Sequence, residues 1–137
     1  MCCRSFGHSA GGVLGAILSA VEPRLARIVI FGYGAGPLAK SATALRLSRG
    51  RGVTDELVAV ADWFDLAHFV GVPRRARLLV QHGRADQTVP MQAARALFDA
   101  AAAPKRWAGY DWDHGLDADP QARKDRAEFI INVAPSH

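Results

Sequence analysis

The hydrophobic positions of the chain fall into short β-branched runs that alternate with longer stretches rich in Ala and Leu. Residues 26–31 and 76–82 each contain an apolar core of aliphatic side chains, and each run ends at a glycine, Gly32 or Gly83. This construction predicts two short buried strands. The weaker apolar pattern over 105–111 predicts a third strand at a sheet edge.

Helical patterns lie between these strands. We predict helices over 11–21, 55–69, 90–103 and 120–133. Pro90 and Pro120 stand near the first turns, where the missing N–H does no harm, and Asp119 precedes Pro120 as an N-cap. Residues 2–6 predict a further strand, although its polar residues weaken the pattern. The alternation predicts an α/β fold with about four mostly parallel strands and flanking helices.

The composition is that of one globular domain. The 137 residues are 50% hydrophobic and 22% charged, which excludes a disordered or collagen-like chain and predicts a single domain over 1–137. The formal net charge of +4 comes from scattered basic residues, so we expect no nucleic-acid partner. No apolar run approaches the ~20 residues of a membrane span, and we expect a cytoplasmic protein with no membrane partner.

Cysteine and histidine usage gives no sign of a disulfide framework or a metal site. Cys2 and Cys3 are adjacent and are the only cysteines, and neighbouring cysteines rarely pair. The sequence holds no CxxC motif and no His/Cys cluster with zinc-ligand spacing. We therefore expect a reducing compartment, no metal and no cofactor.

Residues 7–11, Gly-His-Ser-Ala-Gly, fit the pattern G-x-S-x-G. In a sharp strand-to-helix turn of this kind the serine adopts strained backbone geometry, and the flanking glycines let strand and helix approach each other. Ser9 Oγ would then stand above the sheet, and the N–H of Ala10 would point at a developing oxyanion. The pattern alone is also typical of a glycine-rich helix N-terminus or an anion-binding loop.

A nucleophilic serine needs a base, and the base needs a group that orients it. Asp86 lies in the loop after strand 76–82, where open α/β sheets place their ligands. His114 lies in the loop after the last predicted strand, which gives the chain order Ser, Asp, His. Taken singly, Asp86 also fits a turn ahead of a helix, and His114 a surface loop. Asp113 rivals Asp86 as the acid, but a sequence neighbour rarely folds back onto the imidazole, so we favour Asp86.

Together these segments resemble the α/β-hydrolases. GHSAGG at 7–12, QHGRADQTVP at 81–90 and DHGL at 113–116 resemble the nucleophile, acid and histidine motifs of that family. The similarity is closest to its dienelactone-hydrolase-like and prolyl-oligopeptidase-like esterase branch. The stretch 63–83 also resembles the region that leads into the family's acid loop. The resemblance covers nearly the whole chain and implies the C-terminal half of the fold.

Carried over residue by residue, the resemblance implies a catalytic triad. Ser9 is the nucleophile, His114 the general base and then the acid, Asp86 the group that orients His114, and Ala10 the donor of one oxyanion-hole N–H. The implied activity is hydrolysis of small carboxylic esters or related acyl substrates without a cofactor. Two alternatives stay open: a serine peptidase of the prolyl-oligopeptidase type, and a non-catalytic remnant domain.

The sequence departs from that family at its beginning. Ser9 is the ninth residue, whereas the family has several strands and a second oxyanion donor before its nucleophile. We therefore expect a truncated α/β-hydrolase domain of low activity, because one missing oxyanion donor costs about 10²–10³ in kcat. We also expect the strand over 2–6 to form an open sheet edge through which the chain associates with itself.

Overall fold

The computed structural model describes residues 3–37, 45, 48–73 and 75–131. Within these ranges a parallel sheet has the strand order β1-β2-β3-β4. Its strands are β1 Cys3–His8, β2 Leu25–Phe31, β3 Arg77–Gly83 and β4 Lys105–Tyr110. The helices are α1 Ala10–Val21, α2 Asp55–Trp63, α3 Leu66–Val70, α4 Met91–Ala100 and α5 Pro120–Ile131.

The strands lie side by side in the order of the sequence and are all parallel, as the alternation of strands and helices predicts. Phe31 pairs with His8 on one side and with Gln81 on the other, and Gly83 pairs with Tyr110. The segments that follow the four strands therefore emerge at one carboxyl edge of the sheet. All candidate side chains belong to these segments.

Helices cover both faces of the two inner strands. On one face, α1, α3 and α4 contribute to a buried core with the inward side chains of β2 and β3, which include Ile28, Ile30, Leu78 and Val80. On the other face, α5 packs against Val29, Phe31 and Leu79. Successive side chains of β2 thus enter opposite cores, which explains the uninterrupted apolar run over its last four residues, 28–31.

The outer strand β1 has a different pattern. Arg4 and Phe6 are exposed, and the side chain of Phe6 is 65% accessible. Only the face of β1 that packs against α1 requires small or apolar residues, so the polar residues do not prevent the strand. The predicted strand over 2–6 extends to His8, and Cys2 lies outside the described residues.

The single helix predicted over 55–69 is wrong, because two helices occupy this range. The break lies at Asp65, whose carboxylate caps α3 by accepting the N–H of Ala67 at 3.0 Å. The same carboxylate accepts the N–H of Gly36 at 3.1 and 3.2 Å from its two oxygens. This contact joins α3 to the loop after β2, which a local pattern does not reveal.

The helix predicted over 90–103 is shorter at both ends. Pro90 is the N-cap of α4, and Ala101 is extended with ψ 136°. The N–H of Ala102 donates to the carbonyl of Val70 at 2.9 Å, which draws the chain away from the helix. Pro104 also disfavours a helical residue before it.

The fifth helix begins as predicted. Asp119 accepts the N–H of Gln121 at 2.9 Å and so caps α5, and the predicted end near 133 lies outside the described residues. None of the helices in the described part of the chain is long and apolar enough to cross a membrane.

Candidate active site at the carboxyl edge of the sheet

Ser9 occupies the sharp turn between β1 and α1. Its φ is 50° and its ψ is −115°, a conformation that an L-residue keeps only where its surroundings impose it. The N–H of Ser9 donates to the carbonyl of Phe31 at 2.9 Å, and the Ser9 carbonyl accepts the N–H of Gly12 at 2.9 Å. The side chain of Ser9 does not cap the helix that follows it.

Gly7 explains why the motif begins with a glycine. A Cβ at Gly7 would overlap the carbonyl carbon and oxygen of Gly11 in the first turn of α1. A Cβ at Gly11 would meet nothing within 4 Å. The expectation that both glycines serve the close approach is therefore right for Gly7 and wrong for Gly11, which contributes only its backbone.

Asp86 and His114 meet at the carboxyl ends of β3 and β4. The distance from His114 Nδ1 to Asp86 Oδ2 is 2.9 Å. The other carboxylate oxygen accepts the backbone N–H groups of Thr88 and Val89, each at 2.8 Å. The Asp86 side chain is 1% exposed and that of His114 is 25% exposed, so the carboxylate is buried behind a ring that remains accessible.

The surroundings of Asp86 decide its charge. Burial raises the pKa of this carboxyl, but the amide of Val89, the ring of His114 and the amide of Thr88 outweigh burial and hold the pKa below its ordinary value. Asp86 is therefore a carboxylate at neutral pH, and a carboxylate only accepts hydrogen bonds. It follows that Nδ1 of His114 carries the hydrogen and that Nε2 of the neutral ring is the basic nitrogen.

Ser9 lies next to this pair along the same edge. The ring of His8 is 4.8 Å from the ring of His114, measured between centroids. Among the described residues no hydrogen bond joins Ser9 Oγ to the His114 ring, and such bonds are often long without substrate. The structure thus joins Asp86 to His114 directly and brings Ser9 near them through its neighbour.

The other acidic residues of the histidine loop have different partners. Asp113 is exposed, and its Oδ1 accepts the N–H of Gly115 at 2.7 Å. Asp111 accepts from Arg84 Nη1 at 2.7 Å. The carboxylate that contacts the imidazole is that of Asp86.

Ala10 is the first residue of α1. The N–H groups in the first turn of a helix have no partner within the helix, and the helix dipole favours negative charge there. This position suits a group that must meet an oxyanion. Among the described residues no cluster of His, Cys, Asp and Glu side chains could hold a metal ion.

Sequence reasoning missed a buried polar network behind the histidine loop. Gln81 Oε1 accepts from Arg126 Nε at 2.9 Å, and Gln81 Nε2 donates to the hydroxyl of Tyr110 at 2.8 Å. Arg126 Nη2 donates to the carbonyl of Leu116 at 3.3 Å, two residues beyond His114. The signal in the sequence was Gln81, which directly follows the apolar residues 78–80 of β3, and it did not reveal the partner on α5.

We found no family model and no curated protein that matches the sequence. Solved structures do match in fold. The esterase domain of a Rhodothermus marinus protein is 28% identical with a TM-score of 0.65, over 87% of this chain and 54% of that chain. Acetyl xylan esterase 1 from Thermoanaerobacterium sp. is 19% identical with a TM-score of 0.72, over 93% of this chain and 44% of that enzyme. Dipeptidyl peptidase 4 from Porphyromonas gingivalis is 18% identical with a TM-score of 0.73, over 93% of this chain and 19% of that enzyme.

These comparisons concern the fold. The chain spans about half the length of the two esterase structures, 54% and 44%. Its four parallel strands with flanking helices match theirs, which confirms the fold class predicted from the sequence. The chain is an α/β-hydrolase-like domain that covers part of that fold.

Proposed function

We propose that the chain is a serine hydrolase domain that acts on carboxylic esters or related small acyl substrates. The observation that carries this proposal is the hydrogen bond from His114 to the buried carboxylate of Asp86, at the same sheet edge as the strained residue Ser9. The esterases among the structures of similar fold support the class of substrate.

The conformation of Ser9 favours a nucleophile over the simpler alternative of a helix cap. A serine at an N-cap ordinarily has extended backbone and accepts an N–H of the first turn with its hydroxyl. Ser9 has a positive φ, and its hydroxyl makes no such bond. Its oxygen is therefore available for chemistry, and the strained strand-to-helix turn is the geometry expected of a nucleophilic serine.

In the proposed reaction, Ser9 Oγ attacks the acyl carbon while its proton passes to Nε2 of His114. Asp86 stabilises the imidazolium through Nδ1–H, and the N–H of Ala10 donates to the oxyanion. The proton then moves from His114 to the leaving alkoxide, and the C–O bond of the ester breaks to give acyl-Ser9. His114 next takes a proton from water as the water oxygen attacks the acyl carbon. The bond between that carbon and Ser9 Oγ then breaks, His114 returns the proton to Oγ, and the acid is released.

Labelling with a fluorophosphonate tests the nucleophile. The reagent phosphonylates an activated serine, and mass spectrometry of the peptides identifies the modified residue. We expect label on Ser9 in the wild type and none in Ser9→Ala. Ser19→Ala is the matched control, because Ser19 is buried in α1 and donates to the carbonyl of Ala16. An unlabelled wild type, or equal label in Ser9→Ala, contradicts the proposal.

We expect the 137-residue chain to hydrolyse p-nitrophenyl acetate slowly. Among the described residues we propose a single oxyanion donor, the N–H of Ala10, and a missing second donor costs about 10²–10³ in kcat. A rate equal to that of full-length esterases, abolished by Ser9→Ala, would show that another N–H completes the oxyanion hole.

A serine peptidase is the second candidate, supported by the similar fold of a dipeptidyl peptidase. An amide leaving group depends more strongly on protonation by His114 than an ester does. Matched p-nitrophenyl esters and p-nitroanilides separate the two functions. We expect turnover of the ester only, and faster turnover of the anilide would favour the peptidase.

We also propose that the chain pairs with a second copy through β1. In the described part of the sheet β1 is an outer strand, and unpaired strand edges seek partners. Exposed apolar side chains occur on β1 itself, at Phe6, and on the neighbouring helix α1, at Leu14, Leu18 and Val21. Exposed apolar side chains near an open strand edge are typical of an interface.

A further inference from the structure

We propose that His8, the residue before Ser9, is a positioning residue that holds the His114 loop against the nucleophile turn. This inference rests on the proposed serine hydrolase function. Sequence analysis predicts no role for His8, because the G-x-S-x-G motif accepts any residue at this position. In the structure its Nε2 lies 2.8 Å from the main-chain carbonyl oxygen of His114.

The chemistry of this contact fixes the tautomer of His8. A carbonyl oxygen accepts hydrogen bonds and cannot donate. Nε2 of His8 must therefore carry the hydrogen, and the bond runs from His8 to His114. His8 is thereby a donor to the backbone of the histidine loop, while Ser9 follows it directly in the chain.

The ring of His8 is held on two further sides. It stacks on Phe31 with a centroid distance of 4.9 Å and an interplanar angle of 15°. A Cβ at Gly32 would lie 2.8 Å from His8 Cδ2 and 3.1 Å from His114 Cε1. Gly32, whose φ is 63°, thus leaves room for both imidazoles, so their packing is built into the end of β2.

The other hydrogen bonds of the histidine loop lead away from Ser9. His114 itself binds Asp86, the carbonyl of Trp112 accepts from Ala85 at 3.0 Å, and the carbonyl of Leu116 accepts from Arg126. In the described part of the chain, the bond from His8 is the one hydrogen bond between this loop and β1. It therefore sets how far His114 stands from Ser9, whereas Asp86 sets how the ring is turned.

Three substitutions separate the donor from the ring. His8→Phe keeps the stacking on Phe31 and removes the donor. His8→Gln places an amide N–H the same number of bonds from the backbone as Nε2, so it restores the donor. His8→Asn carries the same amide one bond shorter, in the place of Nδ1, and does not reach the carbonyl. The comparison of Gln with Asn decides the case if the Phe variant does not fold.

Two measurements test the inference. We expect the maximal rate of fluorophosphonate labelling at Ser9 to fall about 10–100-fold in the Phe and Asn variants, with unchanged reagent affinity, because small misplacements are costly in catalysis. We expect the Gln variant to stay within about threefold of the wild type, because its amide is an equivalent donor. Hydrogen exchange of the backbone amides over residues 112–116 should be about tenfold faster in the Phe and Asn variants and unchanged in the Gln variant. A tenfold change corresponds to the net stability that one hydrogen bond contributes.

The outcomes distinguish this inference from the proposed function. Wild-type labelling and exchange in folded His8→Phe and His8→Asn overturn the role of His8 and leave the function intact. A Gln variant as impaired as the Asn variant also overturns it, since the donor would then not be what matters. Absent or Ser9-independent labelling of the wild type overturns the proposed function, and the role of His8 in the reaction falls with it.

Discussion

Replacing Asp86 with asparagine changes one oxygen to an amide and preserves the shape of the side chain. In the wild type, the N–H groups of Thr88 and Val89 each lie 2.8 Å from Oδ1 of Asp86. The oxygen that remains in the asparagine can still accept both. The new NH₂ group then faces His114 Nδ1, 2.9 Å from the replaced oxygen. Since two donors cannot face each other, Nδ1 must become an acceptor and the ring hydrogen must move to Nε2.

This change of tautomer removes the base that the proposed nucleophile Ser9 needs. In serine hydrolases with the same constellation, a wrong tautomer lowers kcat by about 10⁴, and we expect Asp86→Asn to lower the labelling rate at Ser9 by about that factor. The loss in stability should be smaller, about 1–2 kcal/mol, because a charge-assisted hydrogen bond becomes a neutral one while the backbone contacts persist. At this size the melting temperature should fall by roughly 3–10 °C.

The assay is the second-order rate of fluorophosphonate labelling, together with thermal unfolding followed by circular dichroism. Asp113→Asn is the matched control, because Asp113 is adjacent to His114 but binds Gly115. It should label like the wild type. A folded Asp86→Asn variant that labels at the wild-type rate, or an Asp113→Asn variant that loses as much, would refute the assignment of Asp86 as the acid.

Three further predictions follow from the geometry. Gly7→Ala should destabilise the chain by about 3 kcal/mol or prevent folding, since its Cβ would overlap the backbone of Gly11. Gly11→Ala should instead stabilise the chain by about 0.5–1 kcal/mol. Equal melting temperatures of the two variants would contradict this difference. The pKa of Asp86 is lower in the folded chain than the value of about 3.9 for an unfolded aspartate, so its charge stabilises the fold above that pH. The difference in stability between the wild type and Asp86→Asn should therefore shrink as the pH falls below about 4. Denaturant titrations that show the same difference at every pH would contradict this. Light scattering should show concentration-dependent association that Phe6→Glu weakens, and a monodisperse wild-type monomer at all concentrations would exclude pairing through β1.

The sequence predicted the sheet well because its inner strands are governed by local composition. Residues of β2 and β3 enter apolar cores on both faces, so burial alone demands an aliphatic run. The meeting of Asp86 and His114 also follows from simple topology, since loops after neighbouring parallel strands share one edge. In each case a short segment carries the information, and no distant partner is needed to interpret it.

The features that sequence reasoning missed depend on distant partners. Asp65 breaks the predicted helix because its carboxylate also binds Gly36. His8 contacts His114, 106 residues away, only because β1 pairs with β2 and Gly32 leaves space beside Phe31. Such contacts depend on how side chains far apart in the sequence pack together, which the local pattern of a single sequence does not reveal.

The demands of folding and of chemistry fall on different residues in this domain. The core consists of side chains of β2 and β3 and the helices that cover them, and Ser9 and His114 belong to neither core cluster. Their side chains lie beyond the strand ends, where loss of a hydroxyl or a ring leaves no internal cavity. Substitutions at Ser9 and His114 should therefore abolish labelling while unfolding remains cooperative. Asp86 is the exception, because its buried carboxylate also organises the turn at Thr88 and Val89, and its replacement by alanine should impair both the chemistry and the stability of the fold.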